Sequence, residues 1–342
     1  MVLWKAKFKQ QIDTVGCHVH ESSRDIPCSD TRSEHRFLSA VIPLFCLFWF
    51  NTCLDVISVH QTQAADLLSK KPKADGGANA VDGPDWRSLY EKKQFKSGSG
   101  SILPYRILSP GPVLNDTRGK VDSDKPVQVN DSAAALRYPL VLFLHGAGER
   151  GDDNEKQLVH GAAEFAKLSR RQKYPCFAVF PQCPDGKRWV ESDWDLPSGD
   201  GVFPLTASEP MSLALSLVDE LVETLPIDST RIYVTGLSMG GMGTWYAAAS
   251  EPKRFAAMLE VCGGGDPSWA SRYAGIPIWA FHGQADTVVP VERGREMIRG
   301  LSSVGHWPEL RYVEYPKVGH NSWSQTYSRD DVFDWLFSQR KQ

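Results

Sequence analysis

The chain has no block of Lys or Arg, no apolar run long enough to span a bilayer, no internal repeat, and no methionine between Met1 and Met211. A formal net charge of −3 without a basic cluster argues against a nucleic-acid partner, whose phosphates demand a concentrated basic face. A membrane span takes about 20 apolar residues. The segment FLSAVIPLFCLFWF at 37–50 falls short of that and suits the hydrophobic region of an export signal.

The leader 1–64 therefore reads as a signal-peptide-like segment cut near Ala64, with the mature protein secreted or periplasmic and not stably inserted in a membrane. Residues 1–36 fit this reading poorly. They mix Lys5, Lys7, Lys9 and Arg24 with Asp13, Glu21, Asp25 and Glu34, where a signal would begin nearer Arg32 or Arg36. Without a second methionine in that region, such a start would be a non-AUG codon.

Cysteine is scarce beyond the leader. Cys17, Cys28, Cys46 and Cys53 precede residue 65, which leaves Cys176, Cys183 and Cys262, enough for one disulfide at most. Cys183 and Cys262 each follow a strand-like run and are the candidate pair. The cluster Cys17-His18-Val19-His20 with Cys28 lacks the paired CxxC and HxxxH spacings of a zinc site, so no metal is expected.

What is present is α/β material. Residues 65–85 are polar and read as a linker, and 86–342 as one catalytic domain with a polar insertion at 109–137. Short β-branched or apolar runs, LPYRIL, PLVLFL, FAVF, RIYVT, AAMLEV, PIWAF and LRYVEY, alternate with helical patterns. The clearest helices run over 209–224, with Leu213, Leu217, Val218 and Leu221 on one face, and over 328–339. That rhythm predicts a mainly parallel central sheet with helices on both faces.

Reactive groups in such a sheet gather at the carboxyl ends of strands. GLSMG at 236–240 follows RIYVT and matches G-x-S-x-G, in which glycines permit the sharp strand-to-helix turn that lifts a serine hydroxyl clear of the backbone. A serine needs a base, and the base an orienting carboxylate. Asp286 in HGQADTVVP and His320 in PKVGHNSW each lie just past a later strand, giving the order Ser238, Asp286, His320. His282 is the rival base, but its place before Gly283 suits a hydrogen bond to a nearby loop. Asp286 also has a bland reading as a helix cap, and His320 as a surface residue.

An acyl-transfer oxyanion needs fixed N–H donors. Met239, directly after the serine, is one candidate. Ala147 in His145-Gly146-Ala147-Gly148 is the other, with Gly146 or Gly148 as alternatives.

LFLHGAGERGDDN, FPQCP, SEPMSLALSLVDEL, IDSTRIYVTGLSMGGMGTW, CGGGD, WAFHGQADTVVPV and YPKVGHNSW together resemble the secreted carboxylesterase branch of the α/β-hydrolase superfamily. This is the phospholipase/carboxylesterase-like group, similar to polyhydroxyalkanoate depolymerases and feruloyl or acetylxylan esterases. The resemblance covers about residues 101–339. It implies the α/β-hydrolase fold, Ser238 as nucleophile, His320 as base with Asp286 as partner, and a second oxyanion donor best matched by Ala147. The 109–137 insertion and the leader depart from the pattern.

The loop 182–208 holds Trp189, Trp194 and Phe203 among Gly, Pro and Ser, and either roofs the site or is pinned down by its tryptophans. Trp194 and Trp323 are candidate substrate-binding residues, while Trp245 reads as core. Glu149 and Arg150 read as an internal ion pair. The expected activity is hydrolysis of a small-molecule or polysaccharide-linked ester without metal or cofactor. The alternatives are a serine peptidase of the oligopeptidase type and a non-catalytic carbohydrate-binding module on the same fold. N-terminal sequencing of exported protein is expected to begin near Ala64; residues 1–36 on the mature chain would contradict the late start.

Overall fold

Eight runs of β-forming residues make one sheet in the computed structural model, which describes residues 85–111, 136–193, 201–305 and 309–341. All of these fall within one compact unit, Pro72–Gln342. The leader 1–64 with its apolar segment 37–50, the linker up to residue 84, residues 112–135 of the polar insertion, and Trp194 lie outside the described residues. No helix among the described residues is long and apolar enough to cross a membrane.

The strands are β1 (Tyr90–Lys96), β2 (Ile102–Leu108), β3 (Tyr138–Leu144), β4 (Phe177–Pro181), β5 (Ile227–Leu237), β6 (Ala257–Val261), β7 (Ile278–Gly283) and β8 (Leu310–Tyr315). They lie in the order β1-β2-β4-β3-β5-β6-β7-β8. From β4 to β8 all pairings are parallel, and β2 joins β4 and β1 antiparallel. The sheet is therefore mainly parallel, as the sequence rhythm predicts. The inner strands β4, β6 and β7 are buried along their whole length, as strands covered on both faces must be.

Seven α-helices are seen among the described residues: α1 (Ala162–Ala166), α2 (Leu168–Lys173), α3 (Glu209–Thr224), α4 (Met239–Ser250), α5 (Val291–Ser303), α6 (Trp323–Ser328) and α7 (Asp330–Ser338). Side chains alternate across a strand, so β3 feeds two apolar layers. Leu140, Leu142 and Leu144 belong to one layer with Leu217 and Val218 of α3, Trp245 of α4 and Met297 of α5. Val141 and Phe143 meet Phe165 of α1 and Phe333 of α7 on the other face. α3 runs as predicted because Ser208 caps it, its hydroxyl accepting the Met211 N–H at 3.2 Å, and because its predicted apolar face is the buried one.

Two features differ from the sequence expectation. β1, YEKKQFK, buries only Tyr90 and Phe95 and exposes its lysines; it is an edge strand whose charges guard an unpaired side, so it carries no apolar signal. The predicted 328–339 helix begins later: Ser328 closes α6, and Arg329 separates it from α7 while donating two hydrogen bonds to Asp331.

α4 is buried on all sides from Met239 to Ala249, and its first turn lies hard against the end of β3. A Cβ on Gly240 would stand 1.9 Å from the Leu144 carbonyl oxygen, a backbone atom that cannot swing away. Gly240→Ala is expected to destabilise the domain by about 3 kcal/mol or more, read as a fall in the thermal unfolding midpoint.

Candidate active site

β5 delivers Ser238 at its carboxyl end, between the strand and α4. The residue holds φ 55° and ψ −121°, a strained conformation for a side chain other than glycine. Two hydrogen bonds fix it: its N–H donates to the Val261 carbonyl at 2.9 Å, and its carbonyl accepts the Met242 N–H at 3.0 Å.

Two loops from neighbouring parallel strands meet this hydroxyl. The loop after β7 carries Asp286 and the loop after β8 carries His320. Backbone bonds from Gln284 N–H to the Tyr315 carbonyl (3.0 Å) and from Ala285 N–H to the Val318 carbonyl (2.8 Å) tie them together. The His320 Nδ1 lies 2.7 Å from Asp286 Oδ2, and its Nε2 lies 2.9 Å from Ser238 Oγ. Because an ionised carboxylate only accepts, Nδ1 carries the proton and Nε2 accepts from the serine. The sequence-predicted Ser238, Asp286 and His320 thus stand in one hydrogen-bonded line.

Asp286 is almost fully buried, and its Oδ1 accepts the N–H groups of Val288 and Val289 at 2.9 and 3.0 Å. Burial alone would raise its carboxyl, but hydrogen bonds from His282, His320 and Val288 outweigh burial and hold it well below the usual carboxylate range.

Opposite the serine, the turn after β3 presents Ala147 as the first residue of a short 3₁₀ turn, Ala147–Glu149. First residues of helical turns have N–H groups without an intrahelical partner; Met239, opening α4, has the same property. His145 pins the turn: its Nδ1–H donates to the Gly146 carbonyl at 2.7 Å and its Nε2 accepts the Cys183 N–H at 2.9 Å. Burial holds this imidazole neutral, lowered to about 4. Trp189, fully buried, donates from Nε1 to the His145 carbonyl at 3.0 Å, so this tryptophan pins its loop and does not roof the site. Phe203 likewise packs on Tyr246 and Trp269.

Ser238, His320, Trp323, Leu237, Val288 and the 146–149 turn line a cavity of about 260 Å³ together with His160. Trp323 stands edge-on to His320 at 5.4 Å and against His160 at 5.1 Å. His160 carried no signal in the sequence, since it reaches the site only because the segment before α1 folds over the strand ends.

The model of the phospholipase/carboxylesterase family matches residues 206–329, which include all three members of the hydrogen-bonded line. The crystal structure of a thermostable esterase superposes with a TM-score of 0.62 and 35% identity, covering 75% of this chain and 64% of that one. The fold is that of the α/β hydrolases, and residues 206–329 are similar to the phospholipase/carboxylesterase family. Acetylxylan esterase A of Emericella nidulans is 25% identical over 159 residues, 46% of this chain and 46% of that protein. Poly(3-hydroxyalkanoate) depolymerase C of Paucimonas lemoignei is 30% identical over 139 residues, 39% of this chain and 30% of its own. The chain spans about half or less of the length of these two relatives.

One further expectation is corrected, and the open question of a disulfide is answered. Glu149 does not pair with Arg150: it faces His160 at 3.5 Å, while Arg150 donates to the Ala147 and Lys187 carbonyls. Cys183 and Cys262 do not bridge. Both are free and buried, and they belong to the apolar layers on opposite faces of the sheet.

The ligand atoms of Cys262, Asp286 and His320 lie within 4.8 Å of one another. Asp286 and His320 are committed to each other, however, and burial pushes the Cys262 thiol well up, so the donor set does not suit a resident ion. Burial pushes the Cys176 and Cys183 thiols up to about 12 as well. Iodoacetamide is therefore expected to leave Cys176, Cys183 and Cys262 unmodified in the folded protein and to label all three after denaturation, as read by peptide mass.

Proposed function

We propose that this α/β hydrolase cleaves carboxylic esters through an acyl-enzyme. The observation that carries the reading is the line Asp286–His320–Ser238, at 2.7 and 2.9 Å, ending in a hydroxyl that faces an open cavity.

In this reading Ser238 Oγ attacks the ester carbonyl carbon while His320 Nε2 takes its proton. Asp286 holds the imidazole in the required tautomer and stabilises the imidazolium as it forms. The carbonyl oxygen becomes an oxyanion and takes hydrogen bonds from the N–H groups of Met239 and Ala147, each donor contributing about 3 kcal/mol to the transition state. His320 returns the proton to the departing alkoxide. A water then attacks the acyl carbon while His320 takes its proton, and the imidazolium gives that proton to Ser238 Oγ as the acyl–oxygen bond breaks. Every step uses groups of this chain, the substrate and one water, with no metal or organic cofactor.

For the substrate, acyl or aryl esters of carbohydrates are the class proposed. Trp323 and His160 form an aromatic wall beside the serine, a surface that suits a sugar or aryl ring, and relatives named acetylxylan esterase and feruloyl esterase support the same class. We assign the 37–50 segment to export, with an extracellular or periplasmic place of action.

Ser238→Ala is expected to lower kcat/KM on nitrophenyl acetate by about 10⁴-fold or more with an unchanged unfolding midpoint. Near-normal turnover by that variant would refute the assignment. Across a panel of nitrophenyl esters, the modest cavity predicts acetyl and butyryl substrates to be cut faster than lauroyl.

A further inference from the structure

Beneath the described site, the sheet ends in a row of buried charge that the reaction leaves unused. Glu260 of β6 and Tyr312 of β8 both sit opposite Ala280 of β7, and Glu314 sits opposite His282. Strand alternation puts Glu260, His282, Tyr312 and Glu314 on one face, the face covered by α5. His282 and Glu260 are wholly buried. Such groups are costly to bury unless they are paired.

The His282 Nε2 lies 2.9 Å from the Val289 carbonyl oxygen and 3.3 Å from Asp286 Oδ2. A carbonyl only accepts, so Nε2 carries a hydrogen and shares it between the two oxygens. Asp286 is thereby held by four donors: two backbone N–H groups at Oδ1, and two imidazoles, His282 and His320, at Oδ2.

On its other sides His282 faces Glu260, whose Oε1 accepts the Gly263 N–H, and Tyr312 and Glu314 of β8. Arg295 of α5 is bonded to Glu314 through both carboxylate oxygens at 2.7 Å. Arg293 of the same helix reaches away, to the Gly265 carbonyl at 3.4 Å. Cys262, just past Glu260, is a buried thiol.

We propose that His282 is a positioning residue of the site: wholly buried, with its Nε2–H turned to the Val289 carbonyl and Asp286 Oδ2, it anchors Asp286 at the same oxygen that His320 uses and partly neutralises that carboxylate. Burial opposes the charge on His282, but the Asp286 hydrogen bond and Glu260 outweigh it and raise its basicity; burial raises Glu260 to about 7. The consequence lies in how tightly the triad holds its working proton. His282 draws electron density at Oδ2 that would otherwise serve His320 alone, so the proton carried along the Asp286–His320–Ser238 line answers to the state of His282.

This inference rests on the ester-hydrolase reading. Its test is the pH profile of kcat/KM for nitrophenyl acetate with the full chain. His282→Gln keeps a neutral donor towards Val289 and Asp286 and removes the charge. Its triad then carries one more net negative charge and holds a proton more tightly, so the acid limb is expected to move up by about one pH unit. His282→Asn sets a shorter neutral amide at the same place and is likewise expected to move the limb up, which keeps the test open should His282→Gln fail to fold.

A purely structural His282 would lower kcat/KM at every pH with the limb in place, and a limb unmoved in a folded variant would overturn the proposal. Ser238→Ala separates the two claims. If it is inactive while neither limb moves, only this inference falls; if it remains active, the ester-hydrolase reading falls with it.

Discussion

The contact on which the site depends is the approach of the first turn of α4 to the end of β3, where Gly240 lies against the Leu144 carbonyl. A chain that bends from strand into helix within one residue must bring the new helix onto the neighbouring strand, and only a residue without a side chain lets it come that close. That bend gives Ser238 its positive φ. The same bend aims the open N-terminus of α4 at the serine, so the free Met239 N–H and the placement of the Ser238 hydroxyl, the two groups to which the proposed reaction assigns oxyanion binding and attack, are products of one steric constraint. The parallel pairing of β3 with β5 completes it, since Leu144 and Gly236 end side by side and the HGAG turn therefore faces Ser238.

A second constraint is electrostatic. The carboxyl ends of β6, β7 and β8 gather Glu260, His282 and Asp286 out of reach of water, with the part-exposed Glu314 beside them. Like charges packed that closely repel strongly in a medium of low polarity, and the protein offsets this with histidine protons and backbone N–H groups. Asp286 is stable as an anion because its donors outweigh burial, whereas burial pushes Glu260 towards neutrality against its hydrogen bond from Gly263. The same arithmetic of donors and acceptors keeps His145 neutral, held between a carbonyl and an N–H.

Much of this was legible in the chain. The apolar runs became strands because their residues are branched or aromatic and short; the 209–224 helix could be read to the residue because its cap and its apolar stripe agree. Ser238, Asp286 and His320 could be named because each sits at a strand end beside small residues that mark a turn. β1 escaped because an edge strand wears charge, and the 328–339 helix was read as one piece because the break at Arg329 is made by its ion pair with Asp331, which composition does not mark. Whether Cys183 and Cys262 pair could not be read from sequence order, since the sheet that lies between them is built from strands distant along the chain.

The sequence by itself determined the strand and helix periods, the sharp turn at Ser238 and the placing of Ser238, Asp286 and His320 each just past a strand, because these are local matters of side-chain shape and backbone freedom. Only the tertiary structure decided which loops meet. His160 enters the cavity wall, Trp189 props the HGAG turn, and His282 shares an oxygen of Asp286 with His320, through strand order and helix packing that bring distant residues within hydrogen-bonding range. No spacing along the chain encodes such distances, since they are set by which strands pair and how closely the layers above them can pack.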